Sequence, residues 1–148
     1  MNSLKHLDEK LGPEPFSDVF TQHWLLHQFK SRKRQIKALL LDQAFIAGLG
    51  NIYVDEVLWS ARIHPLRVCN RLSAKKVKLL HGAIRLILRE AISARGTTIR
   101  DFRVDGEQPG GYKNHLKIFN RSGYPCYRCE KSIIKTRAAG RGTYICPR

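Results

Sequence analysis

Three cysteines near the end of the chain have the type and spacing of metal ligands. Cys126 and Cys129 form a C-x2-C pair, and Cys146 follows after sixteen intervening residues. Thiolate sulfurs bind zinc tetrahedrally, and zinc ribbons usually close with a second C-x2-C pair. The pattern therefore predicts one structural Zn2+, with a fourth ligand expected just beyond Arg148.

Other arrangements of these cysteines stay open from the sequence. Cys69 or His115 could supply the fourth ligand in a less usual arrangement, or the cysteines could be free and buried. A disulfide is disfavoured in an intracellular protein. Because so small a β unit buries little apolar surface, metal would supply much of its stability. We expect one zinc in a full-length parent and weaker zinc binding in this chain.

A second candidate site is the corner Gly48-Leu49-Gly50-Asn51, where two closely spaced glycines allow a sharp turn. We predict that Asn51 caps a helix over residues 52–61. The free N–H groups and positive dipole end of that helix would favour an anion, most simply a phosphate oxygen. The alternative is an ordinary bend between two helices.

Arg141 lies between two glycines in a segment predicted to turn between strands. Because neither neighbour has a side chain, the guanidinium could approach a phosphate with two hydrogen bonds. A solvated turn arginine is the simpler interpretation of an isolated Gly-Arg-Gly motif.

The net charge favours a polyanionic partner. The 148 residues include 27 Lys and Arg against 12 Asp and Glu, a formal charge of +15. Nucleic acid is the expected partner, with a basic soluble surface or a membrane-surface binder as alternatives. No apolar run approaches about 18 residues and no signal-peptide core opens the chain, so we expect a soluble, cytoplasmic protein without a membrane span.

Apolar periodicity and turn residues predict the elements that position these groups. Helices are expected over 18–29, 35–43 and 52–61, and from an N-cap at Ser73 to a C-terminal glycine at Gly96. The apolar residues of the last helix, through Ile92, are expected to face the core. Residues 115–119 have strand character, and short strands are expected after Pro125.

The predicted architecture is mainly α with a small β zinc ribbon. We divide it into a linker or end of a preceding domain (1–14), a helical domain with a Gly-rich loop (15–112) and a zinc-finger domain (113–148).

Taken together, these segments resemble the C-terminal part of bacterial formamidopyrimidine-DNA glycosylases, an architecture shared with endonuclease VIII relatives. The matching stretches are IKALLLDQAFIAGLGNIYVDEVLWSARIHP, RGTTIRDF, PCYRC and GRGTYICP. They cover nearly the whole chain, in consistent order. The resemblance implies a helix–two-turn–helix DNA-binding domain followed by a zinc-finger hairpin, acting as a monomer on damaged double-stranded DNA.

The resemblance also implies roles for individual residues. Asn51, preceded by Gly50, corresponds to an asparagine that contacts a phosphate next to the lesion. Lys37 and Arg32 correspond to basic residues that bind the DNA backbone. Arg141 corresponds to the zinc-finger arginine that clamps the phosphates flanking a flipped-out nucleotide, and that is assigned as proton donor in δ-elimination.

In this family the nucleophile is the amine of an N-terminal proline, followed by a catalytic glutamate, and a lysine of the N-terminal domain assists β-elimination. This chain begins Met1-Asn2. We therefore expect the chain alone to bind DNA weakly and to catalyse nothing. A covalent adduct trapped by borohydride on abasic-site DNA would contradict that expectation.

The expected function is damaged-DNA binding in base-excision repair. The parent would be a DNA glycosylase and AP lyase that excises oxidised purines, such as 8-oxoguanine or formamidopyrimidine, and cleaves the abasic strand. The alternatives are an endonuclease VIII-like glycosylase for oxidised pyrimidines and a non-catalytic zinc-ribbon module that binds duplex DNA.

Overall fold

The computed structural model describes residues 11–94 and 115–148, and within them four α-helices precede one β-hairpin. The helices are α1 (Gln22–Lys30), α2 (Ile36–Leu41), α3 (Asn51–Ala61) and α4 (Ala74–Ser93), with a 3-10 turn at Cys69–Arg71. The antiparallel strands are β1 (Ile134–Ala138) and β2 (Arg141–Ile145). The predicted class, mainly α with a small β ribbon, is confirmed. None of the described helices is long and apolar enough to cross a membrane.

The helices enclose one apolar core, and α4 supplies its longest face. Val77, Leu80 and Ile84 recur at three- and four-residue spacings and so share one face of the helix. That face packs against the core, and all three side chains are buried. Ile92 does not continue this face as predicted and is 68% exposed. The preceding residue, Ala91, takes the inward position, and one further residue rotates the side chain by about 100° around the helix.

Side-chain caps set the starts of two helices. The Ser73 hydroxyl accepts a hydrogen bond from the Lys76 amide (3.2 Å), as predicted for α4. Helix α1 begins later than predicted, at the cap Thr21, whose hydroxyl accepts from the Trp24 amide (3.0 Å). The predicted start at residue 18 is wrong: the hydroxyl of the preceding residue, Ser17, donates to the Glu14 carbonyl (2.7 Å) in an earlier turn and does not cap a helix.

The corner between α2 and α3 adopts the sharp turn that its glycines allow. Gly48 has a φ of +98°, in the left-handed region that favours glycine. Gly50 is the N-cap of α3 and Asn51 is its first helical residue, so the predicted cap at Asn51 is wrong by one position. The Gln43 carboxamide closes the loop: it accepts from the Gly48 amide (2.8 Å) and donates to the Leu49 carbonyl (3.0 Å).

Strands β1 and β2 are joined by the two-residue turn Ala139-Gly140. Both residues have positive φ, 56° and 73°, which suits the twist of a hairpin. Arg141 is therefore the first residue of β2, paired with Ala138, and it follows the turn that it was predicted to occupy. The predicted strand at 115–119 is wrong, since that segment forms turns. The Gly-rich loop, Gly96 and the predicted domain boundary at 112/113 lie outside the described residues.

Residues 11–14 pack against the back of the same corner. The Gly12 amide donates to the Gln43 carbonyl (2.8 Å), and the Ala47 amide donates to the Pro13 carbonyl (3.0 Å). A Cβ atom on Gly12 would lie 2.2 Å from the Phe45 carbonyl oxygen. Only glycine allows this approach of the two backbones.

We predict that Gly12→Ala lowers the free energy of unfolding by more than about 1 kcal/mol, because the new methyl group displaces the corner backbone. The matched control is Gly82→Ala on α4, where a Cβ meets nothing within 4 Å. That change should raise stability by about 1 kcal/mol through helix propensity. Urea unfolding of both variants measures the difference, and equal effects of the two alanines would contradict the close packing at Gly12.

Candidate nucleic-acid interface and metal centre

Two consecutive acids on α3 hold the zinc-ribbon segment (residues 115–148) against the helical core. Asp55 and Glu56 are each 1% exposed. Adjacent residues on a helix point about 100° apart, so the two carboxylates reach different parts of the ribbon. Asp55 contacts strand β2, and Glu56 contacts the turn at 117–119.

Asp55 and Lys37 form a buried ion pair beneath β2. The Lys37 ammonium lies 2.7 Å from one Asp55 oxygen, and the other Asp55 oxygen accepts from the Tyr144 amide (3.0 Å). Lys37 also donates to the Thr143 hydroxyl (2.7 Å) and, at 3.5 Å, to the Gly142 carbonyl. Each of the three ammonium protons thus has an acceptor inside the protein.

The burial of this pair has an electrostatic cost. Burial lowers the pKa of Lys37, and the hydrogen bond to Asp55 partly opposes this decrease. Burial likewise raises the pKa of Asp55, and the hydrogen bonds from Lys37 and Tyr144 oppose that change. Removing one partner of such a pair leaves an uncompensated buried charge.

Glu56 accepts three backbone hydrogen bonds from consecutive residues. Its carboxylate oxygens lie 2.8, 2.9 and 2.8 Å from the amide nitrogens of Lys117, Ile118 and Phe119. Successive N–H groups of this kind form a concavity that suits an anion. Burial raises the pKa of Glu56, while these three bonds favour its charged form. The same bonds explain why residues 117–119 do not pair as a strand.

Strand β2 places its first residues at the N-terminus of α3. The Asn51 side-chain nitrogen donates to the Gly142 carbonyl (3.2 Å), and Arg141, exposed, immediately precedes Gly142. Because the amide nitrogen carries two protons, one N–H of Asn51 stays available beside Gly50. The Asn51 Oδ1 atom is buried and has no hydrogen-bond partner among the described residues.

The predicted DNA-binding residues are therefore not all in one place. Asn51, Gly50 and Arg141 come together at the start of α3, and Lys37 lies buried beneath them. Arg32 lies elsewhere: its guanidinium donates to the Gln28 side chain (3.0 Å) and sits 5.1 Å from the centre of the Phe45 ring. DNA contacts of Arg32 and Lys37 stay predictions.

Asp55 and Thr143 have roles in this site that the sequence alone did not suggest. An available signal for Asp55 was its position beside Glu56 in the run IYVDEVL, whose other residues are apolar or aromatic, since an acid buried there needs a partner. Thr143 carries no comparable signal because its partner Lys37 is 106 residues away.

The predicted metal ligands Cys126, Cys129 and Cys146 converge. Their sulfurs all lie within 4.8 Å of one another, and those of Cys129 and Cys146 are 3.3 Å apart. Zn–S bonds of about 2.3 Å in a tetrahedron place sulfurs about 3.8 Å apart, so the three thiols fit one zinc ion. Within residues 11–94 and 115–148, neither Cys69 nor His115 belongs to this group. A fourth ligand beyond Arg148 stays a prediction.

The surroundings of Cys126 favour the thiolate that a zinc ion needs. Burial disfavours this charge, but hydrogen bonds from the Arg128 amide and the Trp59 indole outweigh it and lower the pKa of Cys126 to about 6. The indole nitrogen of Trp59, on α3, lies 3.4 Å from the Cys126 sulfur. The metal centre thus contacts the same helix that carries Asp55 and Glu56.

Fold and site together define a helix–two-turn–helix protein that carries a zinc ribbon. Residues 11–103 match the family described as the formamidopyrimidine-DNA glycosylase H2TH domain, and residues 123–148 match the zinc finger found in FPG and IleRS. The chain belongs to the formamidopyrimidine-DNA glycosylase H2TH family.

Individual relatives agree with this assignment. The chain is 51% identical to the formamidopyrimidine-DNA glycosylase of Roseiflexus sp. over 141 residues, which are 95% of this chain and 52% of the relative. It is 47% identical to that of Pelotomaculum thermopropionicum over 148 residues, covering 99% of this chain and 53% of the relative. The chain therefore spans about half the length of the curated relatives it matches.

Solved structures show the same fold. The Lactococcus lactis Fpg bound to DNA with an abasic site matches with a TM-score of 0.87 and 41% identity, covering 98% of this chain and 53% of that one. MutM bound to DNA containing carbocyclic 8-oxo-G matches with a TM-score of 0.85 and 40% identity, covering 98% and 52%.

We predict that Cys126→Ala abolishes stoichiometric zinc binding, because it removes one of three converging ligands. Cys69→Ala is the control, since Cys69 is a buried thiol of the helical core. The metal content of both variants, measured after dialysis against a weak chelator, checks the site. Equal zinc loss from the two variants would show that general destabilisation, rather than ligand removal, releases the metal.

Proposed function

We propose that this chain binds damaged double-stranded DNA through its phosphate backbone, with Asn51 and Arg141 as two parts of one clamp. The observation that carries the proposal is the hydrogen bond from Asn51 to the Gly142 carbonyl. It joins the start of α3 to the residue that follows Arg141. Two elements distant in the sequence thereby present donors on one surface.

The chemistry of these donors suits phosphate. The N-terminus of α3 supplies backbone N–H groups and a positive dipole end, and Asn51 adds a side-chain N–H. The Arg141 guanidinium adds a charged, planar donor that can bind two phosphate oxygens. The net charge of +15 supplies the longer-range attraction to a polyanion.

For the whole protein we propose the activity named for its relatives, that of a formamidopyrimidine-DNA glycosylase. It excises damaged bases, with formamidopyrimidine and 8-oxoguanine as the expected purine lesions, and cleaves the abasic strand. Arg141 is then the proton donor of δ-elimination as well as a phosphate ligand. We further propose that the protein acts as a monomer in the bacterial cytoplasm, associated with nucleoid DNA.

We predict that Asn51→Ala and Arg141→Ala each weaken binding to a duplex with an abasic-site analogue by roughly tenfold, because each removes hydrogen bonds to charged phosphate. Arg141→Ala should also flatten the plot of log K against log salt by about 0.9, the contribution of one neutralised phosphate. Fluorescence anisotropy titrations at several salt concentrations measure both quantities.

The control is Arg89→Ala, which removes the same charge from the exposed face of α4. This variant should keep the wild-type affinity to within about twofold. If Arg89→Ala and Arg141→Ala weaken binding equally, net charge rather than a clamp explains the affinity, and the proposed site is wrong.

A further inference from the structure

We propose that Lys37, Asp55 and Thr143 form a buried positioning triad that sets Arg141 and Asn51 on the DNA backbone. The inference rests on the proposed function and deepens it. It gives Lys37 a role other than the direct contact with DNA implied by the family resemblance. None of the three side chains needs to touch DNA.

A continuous chain of polar contacts ends at Arg141. Asp55 holds the Lys37 ammonium at 2.7 Å, and Lys37 donates to the Thr143 hydroxyl at 2.7 Å. The Thr143 hydroxyl in turn donates to the Arg141 carbonyl at 2.9 Å. The backbone of the clamp arginine is thereby tied to α2 and α3 through buried side chains.

The same strand sets the orientation of Asn51. The Gly142 carbonyl accepts from Asn51 at 3.2 Å and lies 3.5 Å from the Lys37 ammonium. This carbonyl fixes one N–H of the Asn51 carboxamide, and the second N–H is left to donate to a phosphate oxygen. A shift of β2 would release the carboxamide and the arginine together.

Burial makes the triad rigid. Lys37 and Thr143 are 0% exposed and Asp55 is 1% exposed. Because the ammonium has three acceptors inside the protein, it has no free N–H with which to bind a phosphate directly. In a buried site each lost contact leaves an unsatisfied group, so the hairpin has one strongly preferred position.

Two sets of variants test the triad in the 148-residue chain. Thr143→Val keeps the shape of the side chain and breaks the link between Lys37 and Arg141. The double variant Lys37→Met/Asp55→Asn removes both buried charges, so neither is left unpaired. The matched control is Arg34→Met/Asp42→Asn, which removes an exposed ion pair of the same 2.7 Å length.

The readout is affinity for an abasic-site duplex, its salt dependence and its response to a second change, Arg141→Ala. We expect Thr143→Val and the triad double variant to bind roughly tenfold more weakly, with a salt slope lower by about 0.9. In either background, Arg141→Ala should have almost no further effect. The control pair should keep the wild-type affinity and the full effect of Arg141→Ala.

A structural role alone gives a different result. Variants that lose affinity only through instability would keep the wild-type salt slope. In their folded molecules, Arg141→Ala would still weaken DNA binding as much as it does in the wild-type chain. Either that outcome or wild-type binding by Thr143→Val overturns the triad. Failure of the wild-type chain itself to bind the duplex would instead overturn the proposed function.

Discussion

The fold depends on the burial of two negative charges on one helix. Asp55 and Glu56 stand consecutively on α3, and each is almost completely excluded from water. A carboxylate in that environment is tolerated only when hydrogen bonds and opposite charge replace its hydration. The ribbon segment supplies most of these groups: Tyr144 donates to Asp55, and three consecutive amides donate to Glu56. The helical core and the ribbon therefore complete each other's polar contacts.

This dependence links the metal centre to the proposed phosphate site. The indole of Trp59 on α3 donates to Cys126, and the N-terminus of the same helix meets β2 through Asn51. One helix thus contacts the cysteine cluster near one end and the proposed clamp at the other. Zinc binding stabilises the ribbon, and the position of the ribbon decides where Arg141 lies. Under the proposed function, metal affinity and DNA affinity are therefore coupled through this helix.

The sequence predicted the parts of the site whose chemistry depends on local spacing. The C-x2-C pair and Cys146 predicted the cluster of three sulfurs because zinc geometry demands close cysteines, and Ser73 marked the start of α4 because a cap acts within one turn. The sequence did not predict the partners of Lys37, since its contacts with Asp55 and Thr143 depend on tertiary packing. The β-branched and aromatic residues within 115–119 predict a strand. The amides of residues 117–119 instead donate to Glu56, 61 to 63 residues away.

The most direct test of the central claim is a crystal structure of this chain bound to a duplex that contains an abasic-site analogue. The proposed clamp predicts that the Asn51 side-chain nitrogen keeps its bond to the Gly142 carbonyl and donates to a phosphate oxygen, with Arg141 on the same DNA backbone and Lys37 still buried on Asp55. A complex in which Asn51 and Arg141 face solvent, or in which the Lys37 ammonium leaves Asp55 to contact the DNA, would contradict it.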